Sequence, residues 1–202
     1  MTPYPIQVRD NSLNAVAGAV NAVGASHRVA VITDEKVGPL YAARASEALG
    51  DRASIFTMPA GEEHKTRQTW ARLSDEMLEA GFGRDTVVVA LGGGVVGDVA
   101  GFVAATFMRG VPVVQVPTTL LAMVDASIGG KTGVDTGHGK DLVGAFHNPS
   151  AVLIDPLVLP TLPERHLRAG LAEMIKHGVI ADAAYFRSVK EFLTDAGRAP
   201  LL

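Results

Sequence analysis

Three consecutive glycines, Gly92, Gly93 and Gly94, close the apolar run Val87-Val88-Val89-Ala90-Leu91, and an apolar pattern over residues 96–108 follows at once. Strand, tight turn and helix are what that order predicts. Gly92, Gly94 and Gly97 stand at G-x-G-x-x-G spacing. Such a turn brings bare backbone N–H groups and a helix N-terminus up to an anion such as a pyrophosphate. The same glycines would equally serve close strand–helix packing. An ordinary dinucleotide fingerprint follows the first strand and has its acidic ribose ligand about 20 residues later; here any such acid must come earlier. Asp34, ending the apolar run of residues 27–34, and Glu62, in the loop Pro59-Ala60-Gly61-Glu62-Glu63-His64-Lys65-Thr66, are the candidates. Each has a plainer alternative, Asp34 as the cap of the next helix and Glu62 as a first-turn carboxylate. His64 alone carries no role.

The cations form a second group. Gly129-Gly130-Lys131 sets a lysine beside bare backbone, Gly139-Lys140 follows in a loop with His138, and Arg109 precedes another glycine. The spacing is not that of a Walker A loop. Lysines and an arginine in such settings suit an anionic substrate, although any one of them can simply face solvent. Thr118 and Thr119 place two hydroxyls after a strand end. On a later helical pattern Glu173 stands three residues before Lys176 and four before His177, on one helix face. That is either a surface ion pair or half of a metal site. With no cysteine in the chain, His and carboxylates are the available strong metal ligands.

These residues need elements to position them, and the sequence supplies an alternation of strand and helix. Strands are expected at residues 6–8, 27–34, 53–58, 87–91, 110–117 and 151–156. Helices are expected up to residue 23, capped by Asn11 or Ser12, and over 40–49, 67–80, 96–108, 164–180 and 183–195. The architecture this predicts is α/β, a Rossmann-like, mostly parallel sheet with helices on both faces. The boundary falls at Pro156: residues 1–155 form the sheet domain, and residues 156–202 begin an α-helical second domain. The 202 residues are 48% hydrophobic and 19% charged, with a net charge of −3, a globular composition without a basic stripe. Nucleic acid is therefore not an expected partner. No basic-then-apolar leader opens the chain and no apolar run reaches spanning length, so neither is a membrane, and the expected location is the cytoplasm.

The motifs gain weight from their order. Pro-x-Gly-Glu-x-x-Lys from Pro59, Gly-Gly-Gly-Val-Val-Gly-Asp from Gly92, Phe-Met-Arg-Gly from Phe107 and Pro-Thr-Thr-Leu-Leu-Ala-x-Val-Asp from Pro117 come first. Gly-Gly-Lys-Thr-Gly, Gly-Lys-x-Leu-x-Gly-Ala-Phe-His-x-Pro, Thr-Leu-Pro-x-Arg and Gly-Leu-Ala-Glu-Met-Ile-Lys-His-Gly follow. This series resembles the 3-dehydroquinate synthases, of the sugar-phosphate cyclase superfamily. The resemblance implies NAD, with Asp34 and Ala60, Gly61, Glu62, Glu63, His64 and Lys65 on its adenosine side. Gly94, Val95, Val96, Gly97 and Asp98 would lie at the pyrophosphate. Thr118, Thr119, Val158, Leu159, Pro160 and Thr161 would complete the pocket.

The resemblance also implies that Asp125 and Lys131 act beside the nicotinamide and the substrate, that Lys140 touches both, and that Lys176 binds substrate. Arg109 would reach a phosphate in the neighbouring subunit of a homodimer. Glu173 would be the first ligand of a divalent metal, zinc or cobalt, and His177 has no ligand role. The implied reaction is that of a carbon–oxygen lyase of the shikimate route, converting the phosphorylated keto acid 3-deoxy-D-arabino-heptulosonate 7-phosphate to 3-dehydroquinate and phosphate. Asp141 and Lys36 stand where the resemblance leads to asparagines, and Asp141 sets a carboxylate beside an anionic ligand. The family draws two histidine ligands from beyond residue 202, so a truncated chain, inactive alone, is the expectation. Another sugar-phosphate cyclase, a metal-dependent alcohol dehydrogenase-like protein and a non-catalytic NAD-binding fragment are the alternatives; Gly129-Gly130-Lys131-Thr132-Gly133-Val134-Asp135 and Lys176 favour the synthase.

Overall fold

The computed structural model describes residues 4–24 and 27–194. Six strands form one sheet: β1 Ile6–Val8, β2 Arg28–Asp34, β3 Ala53–Met58, β4 Thr86–Gly92 and β5 Val113–Pro117, with Ala151–Ile154 the last. Numbered along the chain that last strand is β8, because β6 Lys131–Thr136 and β7 Gly139–Phe146 intervene as a separate antiparallel pair. The sheet order is β1-β8-β5-β4-β2-β3, and every pairing in it is parallel.

Parallel strands are buried on both faces, and the side chains of β2 and β4 divide accordingly. Val29, Val31, Val87, Val89 and Leu91 point into one core with α1 (Val16–Val23) and α2 (Gly38–Leu49). Ala30, Ile32, Val88 and Ala90 point into the other with α3 (Arg67–Glu79) and α4 (Gly94–Thr106). At about 1.5–3 kcal/mol per fully buried Val, Leu or Ile, these two layers dominate the driving force for the fold. α4 is apolar nearly all round because it is covered twice, by the sheet and by the β6–β7 hairpin; a Cβ on Gly101 would lie 2.5 Å from the Thr132 Cγ2. α5 (Glu164–Ala181) and α6 (Ala183–Thr194) build a small core of their own around Leu171, Val189 and Leu193. No helix among the described residues is long and apolar enough to cross a membrane.

Several expectations are corrected. Residues 139–140 are not in a loop: Gly139 and Lys140 begin β7, and Lys131 begins β6. Neither Asn11 nor Ser12 caps the first helix. Asn11 is left-handed (φ 57) and makes no side-chain cap, and a 3-10 turn, Ser12–Ala15, leads into α1. α4 starts at Gly94 rather than residue 96 and stops at Thr106, giving way to a 3-10 turn, Phe107–Arg109. The expected α/β architecture is borne out: the six strands of the sheet are all parallel, and the antiparallel pair lies outside it. The end of the helix expected to reach residue 195, and residues 200–202, lie outside the described residues.

Candidate functional site

The C-terminal ends of β2, β3, β4 and β5 carry four of the expected segments: Asp34, the 59–65 loop, Gly92 to Gly94, and Thr118 with Thr119. This is the edge of an open parallel sheet at which ligands bind. The chain leaves β2 toward β3 on one side and β4 toward β5 on the other, which makes the β2–β4 crevice the topological switch point. α4 begins there with Gly93 as its N-cap and no side chain on its first-turn N–H groups. Uncapped N–H groups in such a place suit an anion. A Cβ on Gly93 would come within 3.0 Å of the Thr119 Cγ2, so the approach of the turn to β5 depends on glycine.

The threonines have different occupations. Thr119 accepts a hydrogen bond from the Ala122 N–H (3.2 Å), whereas the Thr118 hydroxyl is buried without a protein partner. Asp34 accepts from the N–H groups of Lys36 and Val37, both at 2.8 Å, so one of its oxygens shapes the turn into α2. Val158 is buried and Thr161 shares a 2.6 Å hydrogen bond with the Tyr41 hydroxyl, within the 3-10 segment Pro156–Thr161 that holds Leu159 and Pro160. Ala60 precedes Gly61, over which the Glu63 carboxylate folds, and His64 lies 4.0 Å from Glu63.

Lys65 is the centre of a charged cluster. Only 4% exposed, it donates to Asp98 on α4 (2.5 Å) and to Asp141 on β7. Burial works against its charge, but those two carboxylates more than compensate and hold it above the ordinary lysine range. Burial pushes the Asp98 carboxyl up to about 6; the Lys65 hydrogen bond and charge oppose the rise, and the charges of Asp141 and Glu62 add to it. Lys140 pairs with Glu62 at 2.7 Å, and the Asp135 N–H donates to the Lys65 carbonyl at 2.7 Å. The hairpin is thus bound to the loop by two ion pairs and a backbone bridge.

A second cluster lies on the turn Ala122–Ala126, a π-helical turn of the kind that often marks functional positions, and on α5. Lys176 contacts Glu173 and lies 3.2 Å from Asp125. Burial would raise Asp125, but the Lys176 hydrogen bond and the charges of Lys176 and Lys131 outweigh it and keep the carboxyl below its usual range. His177, for which no ligand role was expected, faces the same space: ligand atoms of Asp125, Glu173 and His177 all lie within 4.8 Å of one another. Two carboxylates and an imidazole are a donor set suited to zinc or cobalt. Asp98, Asp125, Lys131 and Asp141 all line one pocket of about 400 Å³, which joins the two clusters.

Arg109 stands apart. It follows α4 at the end away from Gly94, a helix length or about 20 Å, in a turn where Met108 and Arg109 are both left-handed (φ 51 and 70). The partners of Lys65 and the approach of Asp125 and His177 were not foreseen from the sequence. The paired residues are separated by 33 to 76 positions, and no local pattern announces them.

Residues 55–169 match the family model for the 3-dehydroquinate synthase N-terminal domain. The 3-dehydroquinate synthase of Pelobacter propionicus is 48% identical over 198 residues, covering 96% of this chain and 54% of that protein. The chain spans about half the length of the curated relatives it matches. Among solved structures, 2-deoxy-scyllo-inosose synthase, complexed with carbaglucose-6-phosphate, NAD+ and Co2+, superposes with a TM-score of 0.80 at 32% identity, over 87% of this chain and 48% of that one. The 2-epi-5-epi-valiolone synthase of Streptomyces hygroscopicus subsp. jinggangensis, with NAD+ and Zn2+ bound, gives 0.82 at 33% identity over 100% of this chain and 58% of that one. With its matched segment running from β3 through the glycine turn, the hairpin and β8 into α5, the chain belongs to the 3-dehydroquinate synthase N-terminal family.

Proposed function

We propose that this chain supplies the NAD-binding domain, residues 1–155, and the first helices of the metal and substrate domain, from residue 156, of a 3-dehydroquinate synthase. The reaction would convert 3-deoxy-D-arabino-heptulosonate 7-phosphate to 3-dehydroquinate and phosphate, in the cytoplasm and as a homodimer. The observation that carries this reading is convergence: Asp98 of α4, Asp125 and Lys131 line one pocket, with Lys176 3.2 Å from Asp125, and the uncapped start of α4 lies beside Thr118, whose N–H donates to the Gly92 carbonyl and whose hydroxyl is buried without a protein partner. When bound, NAD would accept and return a hydride at a secondary alcohol, and the divalent metal would polarise hydroxyl and carbonyl oxygens as a Lewis acid.

The residues of the chain do the rest. The first turn of α4, Gly94 to Asp98, would hold the pyrophosphate, with Thr118, Thr119 and the 158–161 segment around the rest of the cofactor. Asp34, Glu62 and Lys65 would border the adenosine side. Glu173, with Asp125 and His177 beside it, would hold the cation. Lys131, Lys140 and Lys176 would neutralise the substrate's phosphate and carboxylate, as would Arg109 in the neighbouring subunit. Lys176 is suited to that task because Glu173 first and Asp125 second keep it charged well above neutral pH. Loss of phosphate breaks one C–O bond and removes one adjacent proton, with no net oxidation.

Calorimetric titration with NAD tests the reading. The wild-type chain is expected to bind, and Gly94→Val to lose binding, because a side chain there would crowd Ala126, 3.3 Å from a Cβ, and the anion's approach to the N–H groups. Equal affinity in the two proteins would sink the glycine-turn assignment. Another sugar-phosphate cyclase is the second reading, favoured by the two superposed cyclase structures. In a longer protein containing this chain, phosphate release from the seven-carbon keto acid, set against release from a sugar phosphate, separates the two.

A further inference from the structure

Around Lys65 the carboxylates are crowded: Asp98 and Asp141 both pair with it, Glu62 pairs with the neighbouring Lys140, and Asp135 also acts on Lys140. A buried ammonium needs a partner, but one close carboxylate satisfies that need, and Asp98 at 2.5 Å provides it from α4. Asp141 is a second partner with a different standing. Its side chain is 63% exposed where that of Asp98 is 20% exposed, so swinging it into water costs little desolvation or packing. It sits on β7 in the left-handed region (φ 57), and its own N–H donates to the Asp135 carboxylate, a hold on the backbone that would survive release of its side chain from Lys65. Both acids line the 400 Å³ pocket. Of the two acids on Lys65, Asp141 is therefore the displaceable one, and a third N–H of the ammonium cannot serve an incoming anion well while two carboxylates repel it.

We propose that Asp141 is an internal counter-ion that competes for Lys65 with a phosphate or pyrophosphate oxygen of the ligand entering this pocket, and thereby sets the affinity for that ligand. The inference rests on the pocket being an anion-binding cofactor site. An incoming anion must push the Asp141 carboxylate off Lys65 into solvent before it gains the lysine, so binding is weaker than the glycine turn and Lys65 would otherwise give.

The test is Asp141→Asn in the same chain, titrated by calorimetry with inorganic pyrophosphate and with NAD at low and at physiological salt. Asn tolerates the left-handed region and keeps an oxygen for Lys65, so the fold is retained. Asp141→Gly serves as the second variant if the melting temperature drops. Removing the charge should tighten both ligands by about three- to tenfold at low salt, an advantage that shrinks as salt screens the pocket. Glu79→Gln, the same charge change at the end of α3, should leave both affinities unchanged. Tighter pyrophosphate with no NAD binding in any variant upholds the competition and defeats the NAD reading. Unchanged or weaker pyrophosphate binding in Asp141→Asn, or none in any protein, overturns the inference and makes Asp141 a latch between hairpin and loop.

Discussion

Asp98 shows how much a single residue in this site can hold in reserve. Its carboxyl is raised to about 6 in the folded chain, against about 3.9 for an unfolded aspartate. The native state therefore binds the proton more tightly, so Asp98 favours folding below about pH 3.9, and that contribution is lost as pH rises through about 6. The difference amounts to roughly 2–3 kcal/mol at neutral pH. Asp98→Asn should flatten the fall in stability between pH 4 and 6, read as the difference between wild-type and variant urea midpoints across that window; parallel curves would show that Asp98 ionises normally. Lys176 makes a second residue-level case. Its ammonium lies on Glu173 and 3.2 Å from Asp125, where a cation shared with His177 would also sit. Lys176→Met is expected to tighten zinc binding in equilibrium dialysis, by up to about tenfold for loss of one competing, partly exposed charge. His177→Ala in the same background should reverse the gain.

The hairpin is the element the sequence conceals. β2, β4 and β5 were legible because parallel strands buried on both faces read as unbroken apolar runs, and α3 because its apolar residues recur at helical spacing. β6 and β7 carry neither signal: Gly133 faces Gly144 across the pair, and β7 is exposed along most of its length. Glycines that look like loop residues are there for contact. A Cβ on Gly144 would lie 2.0 Å from the Thr132 carbonyl oxygen and 2.8 Å from the Gly133 Cα. Gly144→Val should therefore splay the hairpin, costing on the order of 2–4 kcal/mol. Limited proteolysis should cut the variant first within residues 137–142 and leave the strands of the six-stranded sheet uncut; a wild-type cleavage pattern would mean that the pair is tolerant of bulk. The four loops at the strand ends were legible as loops, but the Lys65 ion pairs arise only when β7 folds over α4, a tertiary contact without local pattern.

At the scale of the whole molecule, α5 and α6 are attached rather than integrated. Their apolar contacts form a separate small core, while Val179 and Ile180 on the outer side of α5 are 69% and 75% exposed. The attachment to the rest of the chain is narrow. Gly170 lets α5 lie against Leu120 and Leu121, where a Cβ would meet the Leu120 side chain and the Leu121 nitrogen at 2.6 Å. The Lys176–Asp125 ion pair reinforces that contact, and Tyr41 holds the 156–161 segment through Val158 and Thr161. Segments with few buried apolar contacts open at lower free energy than a doubly covered sheet. Native-state hydrogen exchange should accordingly show two tiers, with α5 and α6 amides exchanging well before those of β2, β4 and β5. Gly170→Val would widen the gap, because a branched side chain cannot enter the 2.6 Å space without lifting α5 from the turn. The variant should speed exchange in α5 and α6 by about tenfold or more while the sheet amides keep wild-type rates, since the two main cores contain no residue of α5 or α6. Because the turn carries Asp125 and α5 carries Glu173 and His177, the same variant should also loosen zinc binding without affecting NAD. Uniform acceleration across sheet and helices would instead make the chain one cooperative unit, with the Asp125, Glu173 and His177 cluster as rigid as the sheet.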